Sequence, residues 1–241
     1  MSRGPASRTV AVDFLAESAA RYRDDHAIVA IDVIRATTTL VTAVSLGFRC
    51  FPVPSLEHAV PLAAKLDRPL LVGELGGNTP YGFDLTNSPA QLTQLSDIAR
   101  PIVLLSSSGT SLIHEASRAA ATYVACLRNY RAVAAHVAAT HERVAVIGAG
   151  TRGEFREEDQ LCCAWVAREL LALGFETADI RTAEVVERWR REPADAIVQS
   201  KSVTYLRDSG QVADLDFILA HVDDVDAVHV VSDGEVVRVS P

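Results

Sequence analysis

Three times along this chain a short apolar run gives way to a Gly/Ser/Thr loop and then to a helical pattern. The stretches are HAIVAIDVIRATTTLVTAVSLG, RPIVLLSSSGTSLIHEASRAA and RVAVIGAGTRGEFREEDQLCCAWVARELLALG. Short aliphatic runs without polar alternation read as strands covered on both faces, and strands alternating with helices read as parallel βαβ units. The expected fold class is therefore α/β, with a largely parallel or mixed sheet flanked by helices. The 241 residues are expected to form one such unit, 1–241, with two closely packed α/β lobes as the alternative. The likeness between the units is local and has no fixed period, which argues against a solenoid.

Between these units, the pattern predicts a helix from about Leu56 to Leu66 and a strand from Leu70 to Val72 that ends at Gly73 and Glu74. The following LGGNTPYGFDLTNSPAQL is too irregular for an element and too long for a minimal turn, and long loops in compact domains tend to be functional. Ser88 and Pro89 can open a helix as cap and first residue. After Asp159 a helix apolar nearly all round, polar only at Arg168 and Glu169 between Leu161 and Leu173, should be central and stop at Gly174. Asp233 and Gly234 between two β-branched runs signal a two-residue hairpin, expected to close a sheet edge.

The composition excludes several classes of function. A net charge of −8, with basic residues scattered among acids, argues against nucleic acid as the principal partner. No stretch of about 18 apolar residues occurs, and the opening MSRGPASRTVAVDFLAES lacks an uninterrupted apolar leader, so no membrane association and a cytoplasmic location are expected. Cys50, Cys126, Cys162 and Cys163 lack metal-site spacing and read as reduced, buried thiols.

Ligands of open α/β sheets bind beyond the carboxyl ends of the strands. Four strand ends here are polar: Asp32 with Arg35, Glu74, Ser106 to Thr110, and Gly148 to Glu154. SSSGTS can cradle an anion with hydroxyls and N–H groups at a helix start, or it can simply cap that helix. GAGTRG matches a dinucleotide turn only superficially, because no acid is clearly placed on a following strand; its glycines are expected to let backbone approach a ligand. EFREEDQ sets Glu154, Glu157, Glu158 and Asp159 beside Arg156. Acids at a helix start complement its dipole, but the apolar residues that follow imply that at least one faces inward. With Asp32, Glu74 and Asp84 they form an oxygen-rich set suited to Mg²⁺, while Arg35 and Arg156 suit an anion, a combination that points to a metal-assisted phosphoryl site. Asp32 as a plain helix cap is the rival. No histidine lies in these loops, so a Ser-His-Asp hydrolase has little support.

Taken in order, DVIRATTT, GELGG, GFDLTNSP, SSSGT, GAGTRGEFREEDQLCCA and DLDFILAHVDD resemble the 2-phosphosulfolactate phosphatase (ComB-like) family. The resemblance implies an α/β, Mg²⁺-dependent phosphomonoesterase that converts 2-phospho-3-sulfolactate to 3-sulfolactate and phosphate, a reaction of the coenzyme M type. Asp32, Arg35, Ala36 and Thr37 match its first motif; Gly73, Glu74, Gly82, Phe83, Asp84, Asn87, Ser88 and Pro89 the second. Gly109 and Thr110 match the third, and Gly148, Gly153, Glu154, Glu158 and Asp159 the fourth. Leu75, Thr86 and Ser108 depart from the pattern, Leu75 standing where a basic residue is expected.

On this reading Asp32, Glu74, Glu158 and Asp159 hold Mg²⁺, and Asp32, Arg35, Glu154 and Asp159 form the catalytic set. Thr37, Asn87, Ser107, Ser108, Gly109, Thr110 and Arg156 bind a small anionic phosphorylated substrate, in a homodimer. A non-catalytic phosphate-ester binding protein is the alternative, and a nicotinamide-dependent oxidoreductase would rest on GAGTRG alone.

Overall fold

A computed structural model describes residues 8–239. Residues 1–7, part of the opening read above for a leader, and 240–241 lie outside the described residues. The strands are β1 (Thr9–Phe14), β2 (Ala27–Ile31), β3 (Cys50–Val53), β4 (Leu70–Gly73), β5 (Ile102–Leu105), β6 (Ala121–Ala125), β7 (Arg143–Gly148), β8 (Glu176–Thr177), β9 (His229–Ser232) and β10 (Glu235–Arg238). The helices are α1 (Ala36–Ser45), α2 (Leu56–Ala63), α3 (Pro89–Leu92), α4 (Gly109–Ala116), α5 (Tyr130–Thr140), α6 (Glu157–Ala172), α7 (Ile180–Trp189), α8 (Lys201–Asp208) and α9 (Val212–Ala220).

All ten strands join one mixed, mostly parallel sheet in the order β4-β5-β3-β10-β9-β6-β2-β7-β1-β8. Side chains alternate across a strand, so β2 feeds two cores. Val29 and Ile31 pack with Val10, Val12, Val144 and Val146 and with Leu161 and Val166 of α6. Ile28 and Ala30 pack on the other face with Ala145, Ile147, Leu40 and Val41 of α1, and Leu112 and Ile113 of α4. α6 is buried along most of its length, as its apolar circumference requires, and all four cysteines are buried free thiols. Ser88 caps α3 by accepting the Gln91 N–H, with Pro89 at the first helical position.

The hairpin is where the structure departs from expectation. Asp233 and Gly234 take left-handed conformations (φ 50° and 79°), as a two-residue turn requires. β9 and β10 do not close an edge, however; they lie in the middle of the sheet. β10 pairs with β3 through Val236 and Cys50, and β9 pairs with β6 through Val230 and His229, so both free edges of the hairpin are covered. Three successive antiparallel ladders thus join two parallel sets, β3-β4-β5 and β1-β2-β6-β7-β8, which run in opposite senses. Strand ends on one side of a flat sheet would therefore not bring the four polar loops together. The loops nevertheless line one cavity, and Gly109 after β5 lies directly against Asp32 after β2.

His229 is fully buried by this arrangement, and burial, aided by Arg238 and Arg128, pushes its imidazole down to about 4. The unfolded chain binds this proton below about pH 6.5 and the folded chain only near pH 4, so the stability contribution is complete above pH 6.5 and is lost as pH falls through that window. Between pH 7 and 4 wild type should lose about 3 kcal/mol more stability than His229→Leu in urea unfolding. Parallel pH profiles for the two proteins would contradict this.

Candidate active site

The row of threonines after β2 builds a corner. Thr37 Oγ1 donates to Asp32 O (2.8 Å) and accepts from Asp32 N (2.9 Å), while Thr38 and Thr39 return their hydroxyls to the carbonyls of Val33 and Arg35. β5 ends in the same way: Thr110 Oγ1 donates to Ser106 O (2.8 Å) and accepts from Ser106 N (2.9 Å). Both knots turn a strand into a helix and present Asp32, Ile34 and Arg35, and Ser107 and Ser108, to a cavity. Thr37 and Thr110 are themselves fully buried, with their hydroxyls engaged in these knots.

That cavity, of about 390 Å³, collects the loops after four strands. Asp32 and Arg35 come from β2, Glu74, Gly76, Gly77 and Asn87 from the long loop after β4, Ser106 to Ser108 from β5, and Thr151, Arg152 and Arg156 from β7. A fifth wall, Lys201, Ser202 and Tyr205 of α8, has no counterpart in the sequence reading.

Three acids act as staples between loops distant in sequence. Glu74 accepts from Ser107 N and Gly77 N (both 2.7 Å) and from Ser107 Oγ (3.1 Å), joining the β4 and β5 loops. Asp159 accepts from Val33 N (2.8 Å) and Gly150 N (3.4 Å), joining the β2 and β7 loops. Asp214 of α9 forms a buried ion pair with Arg35 and accepts from Ser88 Oγ (2.5 Å) and Ala90 N (3.1 Å), tying the β2 corner to α3. Asp84 bonds Leu71 N (2.8 Å) away from the cavity.

Asp32 and Glu158 are different. Asp32 is 5 % exposed on the cavity floor, and its carboxyl is pushed up to about 7 by burial and by the nearby Glu74, with the Ala36 N–H pulling the other way. Glu158 is fully buried and neither of its carboxyl oxygens has a hydrogen-bond partner. Burial raises it; the hydroxyls of Ser202 and Ser200 lie near enough to moderate that shift without meeting bonding geometry. Asp159 is also raised, by burial and then by Asp32 and Glu158. Asn87 Oδ1 is a further buried acceptor with no partner.

The floor is thus crowded with acids, and the one arginine among them is already paired with Asp214. At the rim the balance reverses. Arg152, Arg156 and Lys201 line the cavity, and Glu154, outside the lining, bonds Lys201 Nζ at 2.6 Å and lies 3.4 Å from Arg156 Nη1. The Lys201 bond is the main reason the Glu154 carboxyl is lowered.

Gly109 makes this close packing possible. A Cβ there would fall 2.4 Å from Asp32 Oδ2 and 2.6 Å from the Ala36 Cβ. Helix propensity alone favours Gly109→Ala by about 1 kcal/mol, yet the overpacked floor should make the variant about 1–3 kcal/mol less stable and sharply less active. Urea unfolding and turnover check both. The space beside Gly148 and Gly150 is taken by Asp159 Cβ (3.0 Å) and Glu154 O (2.7 Å), so these glycines admit neighbouring protein atoms, where a ligand had been expected.

Among the described residues no group of three or more His, Cys, Asp or Glu side chains is arranged to hold a metal ion. Mg²⁺ is commonly held by one or two carboxylates, with waters and substrate phosphate completing its shell. The unpartnered oxygens of Glu158 and the buried Asp32 fit that mode, whereas Glu74 and Asp159 have their oxygens committed to backbone N–H groups.

The family model described as 2-phosphosulpholactate phosphatase matches residues 14–234. The chain belongs to this family. A probable 2-phosphosulfolactate phosphatase of Deinococcus radiodurans is 36 % identical over 211 residues, 86 % of either chain. One from Thermus thermophilus is 36 % identical over 196 residues, 79 % of this chain and 81 % of that one. A third, from Caldanaerobacter subterraneus, is 29 % identical over 219 residues, 88 % and 90 % of the two chains.

Within this 2-phosphosulfolactate phosphatase family member, Asp32, Arg35, Glu74, Asn87, Ser107, Ser108 and Arg156 reach the cavity wall, while Thr37, Thr110, Glu154, Glu158 and Asp159 stand behind or beside it. Gly109 borders the floor through Asp32. Leu75, the departure from the basic pattern, sits exposed on the turn to Asn78 and does not line the cavity. Sequence reasoning missed Asp214, although it opens the DLDFILAHVDD motif, and Arg152, although it lies within GAGTRGEFREEDQLCCA; it also missed Lys201 and Tyr205, for which no local signal exists.

Proposed function

We propose that the chain hydrolyses a small phosphomonoester bearing further acidic groups, with 2-phospho-3-sulfolactate giving 3-sulfolactate and phosphate. The observation that supports this reading is one cavity with an acidic floor and a cationic rim, in a chain of this family. A dianionic phosphate cannot approach Asp32, Glu74 and Glu158 without a cation between them, so the floor suits a metal-bridged phosphate. Asp32 and Glu158 would hold Mg²⁺, which when bound would polarise the phosphoryl oxygens and lower the pKa of a water.

Arg35, fixed by Asp214, faces the phosphate. The Ser108 hydroxyl and the N–H groups that open α4 donate to its oxygens. Asp32 accepts a proton from the attacking water through the carboxyl oxygen that does not hold the cation. The water oxygen bonds to phosphorus, the ester P–O bond breaks, and the departing oxygen takes up a proton to become the hydroxyl of the product acid.

The test is phosphate release from 2-phospho-3-sulfolactate and 2-phospholactate, with Mg²⁺ or with chelator. Metal-dependent release, faster for the sulfonate, is expected. Binding of either ester without release under any metal condition would replace the enzyme with a binding protein.

A further inference from the structure

The rim places a carboxylate where an anionic substrate must arrive. Glu154 Oε2 lies 2.6 Å from Lys201 Nζ and 3.4 Å from Arg156 Nη1. Both cations line the cavity and Glu154 does not. Its side chain is 57 % exposed, and that of Lys201 is 73 % exposed. The backbone beneath is fixed, because Thr151 and Glu154 exchange both N–H···O bonds (2.8 and 3.1 Å) around the left-handed Arg152 and Gly153. The Glu154 side chain can therefore swing while its loop stays in place.

We propose that Arg156 and Lys201 take the second strong acid group of the substrate, and that Glu154 determines specificity by occupying those cations until that group displaces it. The proposal rests on the phosphatase reading above. The charge gradient along the cavity gives such a substrate one orientation, with phosphate at the acidic floor under a bridging cation and the permanently charged acid at the rim. Exposed ion pairs contribute little, so giving up the Glu154 carboxylate costs the rim little, and a sulfonate tethered to the bound phosphate gains more from the two cations than the rim loses. 2-Phospholactate keeps the carboxylate that both esters share and lacks the sulfonate, so the difference between the two esters isolates the sulfonate's exchange with Glu154. Discrimination then comes from an incumbent competitor as well as from attraction.

Kinetics with 2-phospho-3-sulfolactate and 2-phospholactate separate these contributions. Glu154→Gln should lower KM for the sulfonated ester about 3–10-fold relative to KM for phospholactate at low ionic strength. Lys201→Met should raise KM for the sulfonated ester about tenfold and spare phospholactate. A rise in KM, or a fall in kcat, for both esters in Glu154→Gln would overturn the proposal and make Glu154 a brace for its loop. If the wild-type protein hydrolyses neither ester, the phosphatase reading fails separately, and calorimetric titration with 3-sulfolactate and lactate still decides. Tighter 3-sulfolactate binding in Glu154→Gln, with lactate unchanged, supports the exchange; equal binding, or none, refutes it.

Discussion

Asp32→Asn is expected to lower turnover by about 10²–10⁴-fold while making the protein no less stable in chelator at pH 8. The two halves of this expectation share one cause. Asp32 is a carboxyl on a buried floor next to Glu74 and Glu158, and its pKa is raised from 3.8 to about 7. For an acid raised in the folded state, the folded protein binds the extra proton, so the cost of the charge is absent below pH 4, grows as pH rises to about 7, and is constant above. Asparagine keeps an acceptor for the Ala36 N–H and carries no charge, so it escapes a cost of at most roughly 4 kcal/mol. The gain in thermal midpoint should be present at pH 8, shrink as pH falls below about 7 and disappear near pH 4. A variant that is inactive and equally destabilised at every pH would show that Asp32 shapes the floor instead of acting on the substrate.

Asp214→Ala is expected to be the most destabilising single change near the site. Arg35 and Asp214 are both nearly inaccessible, with side chains 4 % and 3 % exposed, and Asp214 also satisfies Ser88 Oγ and Ala90 N. Removing one member of a buried pair leaves an uncompensated charge, which costs about 3–5 kcal/mol and, for a chain of this size, about 10 °C in thermal midpoint. Replacing both members, Arg35→Met with Asp214→Ala, should recover part of that loss because no lone charge remains. Turnover should fall in both variants, since Arg35 either loses its anchor or is gone. A double variant less stable than the two single losses added together would mean that the pair is not the source of the effect.

Much of the architecture was legible because its causes are local. The apolar runs within Ala27–Ile31, Ile102–Leu105 and Arg143–Gly148 became strands paired on both sides, and Ser88-Pro89 and Asp233-Gly234 became the helix start and the hairpin turn that their chemistry favours. The placement of that hairpin was not legible. Pairing partners are chosen across the sheet, and nothing in VHVVSDGEVVRV distinguishes an edge from a central bridge between opposed parallel sets.

The site shows the same division. Residue types and motif order identified Asp32, Arg35, Glu74, Asn87 and the serines as cavity residues, but spacing could not assign tasks to equivalent carboxylates. Glu74 and Asp159 meet backbone N–H groups of other loops, Asp214 meets an arginine 179 residues away, and Glu158 meets no partner at all. The sequence by itself determined the strands, caps and turns, the family, and the supply of acids, cations and hydroxyls, because each depends on a residue and its near neighbours. Tertiary structure alone decided which acids brace loops and which meet no protein donor, and it brought α8 to the rim, because a carboxylate's role depends on the donors that distant segments deliver to it.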